Sequence, residues 1–373
     1  MASPGKENEH LRRALRLASR GRYRTAPNPR VGAVLVRDGA VVGEGWHRRV
    51  SGPHAEAEAL AAAGERARGA TLYLNLEPCR HHGRTPPCVD ALLAAGVARV
   101  VASHRDPDPR VGGGGFARLR EAGVEVEVGA LAREAAALNL PFLTAKTLGR
   151  PAVTLKWAMS LDGKIATAAG ESRWISSEAG RRWALELREE HDAILVGSGT
   201  ALSDDPLLTR RLRLAEGPIL RVVLDRRLRL PAAAKMLGEE GGVLIFTESQ
   251  DAARRAELAA RGAQVERLAR VEPAAVLAAL HARGVQSVLV EGGAEAHAAF
   301  VASGLWDRAE VACAPLLIGG QEAPGPIGGP GVPALAAAPR LDGLSVRRRG
   351  GDLLLSAFRA GALDDLLARL AGT

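Results

Sequence analysis

The run Glu77-Pro78-Cys79-Arg80-His81-His82-Gly83-Arg84-Thr85-Pro86-Pro87-Cys88 joins an apolar stretch, Thr71 to Leu76, to a segment of helical spacing, Pro87 to Ala95. Upstream, Pro53-His54-Ala55-Glu56 opens another predicted helix, and downstream Val97 to Ala102 reads as a further strand. Strands that alternate with helices in this way predict an α/β layer architecture. Working outward, Leu11, Ala14, Leu15 and Ala18 recur at helical spacing and stop at Gly21, and the turn-rich Thr25 to Arg30 follows. Val31 to Val36 and Ala40 to Trp46 flank Asp38-Gly39, a pair suited to the positive φ angles of a tight hairpin. Phe116 to Glu121 and Val124 to Val128 continue the alternation beyond the glycines of Gly112 to Gly115, which read as a loop.

The pattern resets between Pro141 and Pro151, which predicts a domain boundary and two domains, 1–147 and 148–373. Ala193 to Val196, Leu220 to Leu224, Val243 to Phe246 and Ser287 to Val290 are continuous apolar runs, as expected of strands buried on both faces. Helical stretches such as Arg181 to Glu190 and Pro273 to Arg283 lie between them. Leu344 to Arg348 and Leu353 to Phe358 flank Gly350-Gly351, a hairpin signal that makes the second sheet mixed, and Gly319 to Pro333 reads as an irregular loop.

The chain has 373 residues, 47% of them apolar and 25% charged, so two packed cores are affordable in length and wholesale disorder is excluded. Three cysteines do not form a disulfide framework and suit a reducing compartment. No apolar run of about 18 residues is present, and Met1 to His10 is too polar for a secretory signal; the cytoplasm is expected and a membrane is not. The net charge of +8 rests on arginine and suits an anionic small substrate, a nucleic acid or a plain basic surface. Aromatic residues at 3% argue against single-strand binding by base stacking.

His54, Cys79 and Cys88 carry the most specific chemistry. One imidazole and two thiolates give a catalytic zinc ion three protein ligands and leave a fourth position for water. Glu56, two residues after the histidine, is not a ligand in this reading; it takes a proton from the activated water and passes it to a leaving amine. Predicted helix N-termini at both halves would lower the cysteine pKa values. Any one of these residues alone reads more simply as an inert core cysteine or an ordinary surface or core histidine, and their combination in this order is what points to zinc. His81 and His82, between the cysteines, either compete as ligands or shape the substrate pocket. Cys313 sits in an apolar run and reads as a small core residue.

His-x-Glu followed by Pro-Cys and a second cysteine resembles the zinc-dependent nucleobase deaminases. There is one departure: those proteins usually carry Cys-x-x-Cys, whereas Arg80 to Pro87 separate the cysteines here. The longer spacing, together with Pro53 to Glu56 and Asn28-Pro29-Arg30-Val31-Gly32, resembles the bifunctional deaminase and reductase family of riboflavin biosynthesis.

The second half lacks GxGxxG, and its nearest equivalents are the glycine turns Val196 to Thr200 and Val290 to Ala294, where the backbone can approach an anion. Lys156 to Lys164, Gly170 to Ile175, Leu202 to Thr209 and Glu291-Gly292-Gly293 are similar to consecutive motifs of the same family's reductase domain. That resemblance implies a cytidine-deaminase-like α/β/α sandwich followed by a dihydrofolate-reductase-like mixed sheet with flanking helices. It also implies one zinc ion per chain and NADPH as cofactors. By the same carry-over Ala158, Trp174, Thr200, Asp204, Arg226 and the segment Gly293, Ala294, Glu295, Ala296, His297, Ala298 and Ala299 hold the cofactor. Ser172, Arg188, Leu208, Arg211 and Glu291 hold the substrate, with Arg188 and Arg211 as forks for its phosphate, and Asp204 and Glu291 are candidate proton donors.

The expected function is zinc-dependent deamination of a phosphoribosylamino-pyrimidinone followed by NADPH reduction of its ribosyl group. The expected partners are a small phosphorylated pyrimidine and further copies of the same chain in a homo-oligomer, with no nucleic acid. Two alternatives remain open from sequence: a tRNA-editing adenosine deaminase with an appended binding domain, and a deaminase whose second half is a non-catalytic scaffold.

Overall fold

In the computed structural model, residues 4–80, 87–108 and 111–371 are described, and they divide into two units. The first comprises residues 1–148 together with 363–373, the second residues 149–362.

The first unit runs α1 (Pro4–Ser19), β1 (Gly32–Arg37), β2 (Ala40–Trp46), α2 (Ala55–Ala63), β3 (Thr71–Leu74), α3 (Cys88–Ala94), β4 (Arg99–Ala102), α4 (Gly114–Glu121), β5 (Glu125–Val128), α5 (Ala132–Leu138) and α6 (Leu140–Leu148). Its sheet has the order β2-β1-β3-β4-β5; β1 is antiparallel to β2 and β3, and β3, β4 and β5 are parallel. Alternation along β1 puts Leu35 into a layer with Ala59 of α2, Leu92 of α3 and Leu119 of α4. Val34 faces the opposite layer, with Leu11 and Leu17 of α1. The result is the α/β/α sandwich.

Two expectations change. The expected break after Pro141 is the helix α6, because proline in the first turn gives up no helical hydrogen bond and Leu140, Phe142 and Leu143 bury its apolar side. Of the loop glycines, Gly114 and Gly115 belong to α4, whose exposed N–H groups find an acceptor in Glu77.

The second unit runs β6 (Ala152–Ser160), α7 (Glu178–Glu190), β7 (Ala193–Gly197), α8 (Ser198–Asp204), β8 (Leu220–Leu224), β9 (Val243–Thr247), α9 (Ala252–Ala260), β10 (Ala263–Arg267), α10 (Pro273–Ala282), β11 (Ser287–Gly292), α11 (Ala294–Ser303), β12 (Arg308–Ala314), β13 (Leu341–Arg349) and β14 (Asp352–Arg359). A nine-stranded sheet has the order β10-β9-β8-β7-β11-β6-β12-β14-β13. It is parallel from β10 to β12 and antiparallel at β14 and β13, the mixed sheet expected from the hairpin signal. β11 inserts between β6 and β7, so the strand order reverses there, and the glycine turns after β7 and β11 come side by side. Open α/β sheets bind ligands in the crevice at such a point.

The last helix, α12 (Ala362–Ala371), buries Leu363, Leu366 and Leu370, and its Asp364 pairs with Arg133 of α5. From Leu363 on it groups with the first unit, whereas sequence order alone places it in the second.

Candidate functional site

His54 caps α2 with extended backbone (φ −73°, ψ 160°), so its main chain begins the helix while its ring stays free of the cap. Cys88 opens α3, and its N–H donates to Cys79 Sγ at 3.5 Å, while Val89 N–H donates to the Cys79 carbonyl at 3.2 Å. These bonds bring the two cysteines together at the start of α3. His54 Nδ1 lies 3.5 Å from Cys79 Sγ and 3.3 Å from Cys88 Sγ, and all three ligand atoms fall within 4.8 Å of one another. Zinc bonds of about 2.3 Å to sulfur and about 2.0–2.1 Å to nitrogen would put tetrahedral ligand atoms about 3.5 Å apart. The two nitrogen–sulfur edges match that length, and the soft N/S donor set suits zinc. His81 and His82 lie outside the described residues.

Glu56 is buried in the first turn of α2, with the Cys88 thiol hydrogen-bonded to it. Burial raises its pKa, and the nearby His54 only partly offsets this. Cys79 is pulled down to about 4 by the Cys88 hydrogen bond, with burial opposing and His54 assisting. Cys88 moves the other way, because it is the donor to Cys79 and faces Glu56. The two thiols are therefore not lowered alike, as helix N-termini alone would have them.

Residues to which sequence reading assigned no individual role hold this site. His47 Nδ1 is 3.0 Å from the Pro53 carbonyl and its Nε2 accepts from Asn28 Nδ2 at 3.2 Å, so the buried ring fixes the residue before His54. Asn75 and Asn139 both donate to the Arg30 carbonyl, at 2.8 and 2.9 Å. Glu77 accepts from four backbone N–H groups, those of Asp106 (3.2 Å), Gly113 (2.9 Å), Gly115 (2.8 Å) and Phe116 (3.0 Å). A buried carboxylate is thereby satisfied by a helix N-terminus and loop amides. The signal for Glu77 lay in its place beside Pro78-Cys79 and in the distant glycines that receive it.

In the second unit a cavity of about 740 Å³ opens at the reversal of strand order. A Cβ on Gly293 would stand 3.0 Å from Thr200 Oγ1, so the two glycine turns meet closely only because that side chain is missing. Ala158, Ser172, Trp174, Thr200 and Asp204 line the cavity, as do Leu208, Arg211 and Glu291. Of the expected segment after β11, Gly293, Ala294 and His297 reach it. Ala296 packs into the core, and Glu295, exposed, accepts from Gly329 N–H at 3.4 Å. Ala298 and Ala299 are not among the lining residues, which follows from the helical turn: one face of α11 looks at the cavity. Arg226 is exposed beyond β8, outside the cavity, and its carbonyl accepts from Glu248 N–H and Thr247 Oγ1, each at 3.1 Å.

Arg188, expected as a fork for the substrate phosphate, also lines the cavity, with one edge of its guanidinium already engaged. Its Nε and Nη2 donate to Glu291 Oε1 and Oε2 at 2.7 and 2.9 Å, which closes that edge of the guanidinium. Lys156 Nζ lies 3.8 Å from Glu291 Oε2. Burial would raise the Glu291 pKa, but Arg188 and Lys156 outweigh it and hold the carboxyl at about 2. His297 faces two carbonyls, Nδ1 at 2.9 Å from Pro326 and Nε2 at 3.1 Å from Val290, so its polar atoms are engaged with the main chain.

Fold and sites together define a two-activity enzyme: a zinc-type deaminase unit joined to a nicotinamide-type reductase unit. Residues 4–104 match the cytidine and deoxycytidylate deaminase zinc-binding region, and residues 151–355 match the RibD C-terminal domain. The chain belongs to the RibD family of riboflavin biosynthesis proteins. It is 42% identical over 356 residues to the RibD of Bacillus amyloliquefaciens (94% of this chain, 96% of that one). It is 41% identical over 358 residues to that of Escherichia coli strain K12 (93% and 97%). Among solved structures, Acinetobacter baumannii RibD superposes with a TM-score of 0.84 at 38% identity, covering 95% of this chain and 99% of that chain. A diaminohydroxyphosphoribosylaminopyrimidine deaminase/5-amino-6-(5-phosphoribosylamino)uracil reductase from Thermotoga maritima gives 0.81 at 35% identity, covering 95% and 99%.

Proposed function

We propose that the chain performs the two activities named for the Thermotoga maritima protein, one after the other. The first unit hydrolyses the amino group from the phosphoribosylamino-pyrimidine, and the second reduces the ribosyl group of the product. The observation that carries the reading is the His54, Cys79 and Cys88 triangle beside buried Glu56, in a chain that also holds the reductase cavity.

His54, Cys79 and Cys88 would hold the zinc ion, which supplies Lewis acidity that makes water nucleophilic near neutral pH. Glu56 accepts a proton from the attacking water and delivers it to the departing amine. Its burial raises its proton affinity above that of an exposed carboxylate, which favours a group that must take up a proton before giving it away. His47, by pinning Pro53, keeps the imidazole of His54 aimed at the two sulfurs.

NADPH supplies the hydride for the second step. Ala158, Trp174, Thr200, Asp204, Gly293, Ala294 and His297 would contact that cofactor from the cavity wall. Ser172, Leu208 and Arg211 would hold the substrate, with Arg211 gripping the phosphate. Glu291, held ionised by Arg188 and Lys156, is an acceptor for sugar hydroxyl groups.

Ammonia release and NADPH oxidation followed on one purified sample, with its zinc content, test the reading. Both activities and about one zinc per chain are expected, and NADPH oxidation absent in the presence of substrate would remove the second half of it. The RNA-editing and scaffold alternatives leave the cavity of the second unit without a role. Cytoplasmic location fits the free cysteines, and no helix among the described residues is long and apolar enough to cross a membrane. Self-association is supported by Leu341, Leu344 and Val346, exposed on the edge strand β13, and light scattering of the intact chain would measure it.

A further inference from the structure

The loop that brings Arg211 to the cavity is fastened by two side chains with no part in the reading above. Glu189 follows Arg188 on α7 and is buried, with 1% exposure. Its Oε1 accepts from Leu212 N–H at 2.9 Å, and its Oε2 accepts from Leu214 and Ala215 N–H, each at 3.0 Å. Arg210 spans the other side of the loop. Its Nη2 donates to the His191 carbonyl at 2.7 Å, and its Nη1 to the Gly217 and Glu216 carbonyls at 2.9 and 3.1 Å. Arg211 therefore sits between two neighbours, Arg210 and Leu212, each tied to the last turn of one helix or the residue after it.

That helix also serves the cavity directly. Arg188 reaches Glu291, and the next residue, Glu189, reaches the loop. The floor of the cavity and the loop bearing Arg211 are thus referred to adjacent positions of α7. A loop of this kind would otherwise sample many conformations, and three N–H groups on one buried carboxylate restrict it strongly. Neither Glu189 nor Arg210 is among the residues lining the cavity.

We propose that Glu189, with Arg210, is a positioning residue for the sugar phosphate: it holds Arg211 where its guanidinium meets the phosphate, without touching the substrate. The proposal rests on the reading of Arg211 as the phosphate ligand, and the test separates the two. Glu189→Gln keeps at most one carbonyl acceptor and turns an amide donor toward loop N–H groups, whereas Glu189→Ala removes all three bonds.

In the full-length enzyme both variants should raise the reductase KM for the phosphorylated deamination product roughly tenfold to a hundredfold, alanine more than glutamine, with kcat and NADPH affinity little changed. Deamination by the same preparation should be as in the wild type and reports that the chain has folded. With the dephosphorylated riboside, wild type and variants should show the same weak KM. Arg211→Ala should match the loss, and the double variant should be no worse than Arg211→Ala alone, since both act through one contact. A normal KM in Glu189→Gln while Arg211→Ala is impaired overturns the positioning role and leaves the phosphate reading standing. A normal KM in Arg211→Ala overturns both. An equal loss with phosphorylated and dephosphorylated substrate overturns the positioning role in favour of general collapse of the cavity.

Discussion

Glu77 and Gly115 meet where the first unit turns from strand to metal-binding segment. The carboxylate Oε1 accepts from Gly115 N–H at 2.8 Å, and a Cβ on that glycine would stand 3.2 Å from the same oxygen and 2.2 Å from the Pro78 carbonyl oxygen. The close approach fixes the backbone immediately before Cys79, so the zinc triangle depends on a contact made far along the chain, in α4.

Gly115→Ala should therefore destabilise the first unit by about 1–3 kcal/mol, the range expected for forcing atoms into a filled site. Thermal unfolding measures the stability. Zinc retention on dialysis should fall in parallel, while NADPH binding by the second unit should not change.

Glu56→Gln should keep zinc at the wild-type stoichiometry and lose deamination roughly a hundred- to ten-thousand-fold, because the amide cannot accept the proton. Reduction assayed with the deaminated substrate should be unaffected. Loss of zinc from this variant would instead mark Glu56 as a ligand or support.

Arg188→Met leaves the buried Glu291 carboxylate facing Lys156 alone, and breaking a buried pair in this way costs about 3–5 kcal/mol. The pH dependence has a definite sign. Glu291 ionises at about 2 when folded, against an ordinary value of 4.5, so its contribution is present above 4.5 and is lost as the pH falls toward 2. Acid unfolding of the variant should begin at higher pH than that of the wild type, as monitored by circular dichroism.

Asp106 has the opposite sign. Burial raises its pKa from 3.8 to about 7, with the hydrogen bond from Asp108 N–H opposing and the charges of Asp108 and Glu77 adding to it. The folded chain then keeps a proton that the unfolded chain gives up, so this group lowers stability progressively between about pH 4 and 7. Asp106→Asn can retain the Oδ1 acceptor for Asp108 N–H, which lies at 2.8 Å, and cannot ionise. Its melting temperature should exceed that of the wild type at pH 8 and match it near pH 4.

Much of the fold and the metal site was legible because the signals are local. His54 and Glu56 share one turn of helix, the two cysteines flank one segment, and short apolar runs marked β7, β8, β9 and β11. What stayed hidden depends on partners far apart in sequence. Arg188 reads as an available fork until Glu291, 103 positions away, closes on one edge of it, and Glu77 reads as part of a motif until the amides of Asp106, Gly113, Gly115 and Phe116 surround it. The helix α6 was masked by Pro141, whose effect depends on where in a helix it falls. Polar β10 (Ala263–Arg267), at the sheet edge, carries little apolar pattern to read.

The return of α12 to the first unit makes that unit discontinuous: the second is an insertion, entered after Leu148 and left before Leu363. A gene fragment ending at Leu148 would produce a deaminase stripped of its closing helix, with the surface that Leu363, Leu366 and Leu370 normally cover laid bare to aggregation. Any attempt to separate the two activities by dividing the gene needs two cuts and a graft, with the last helix spliced onto the amino-terminal piece.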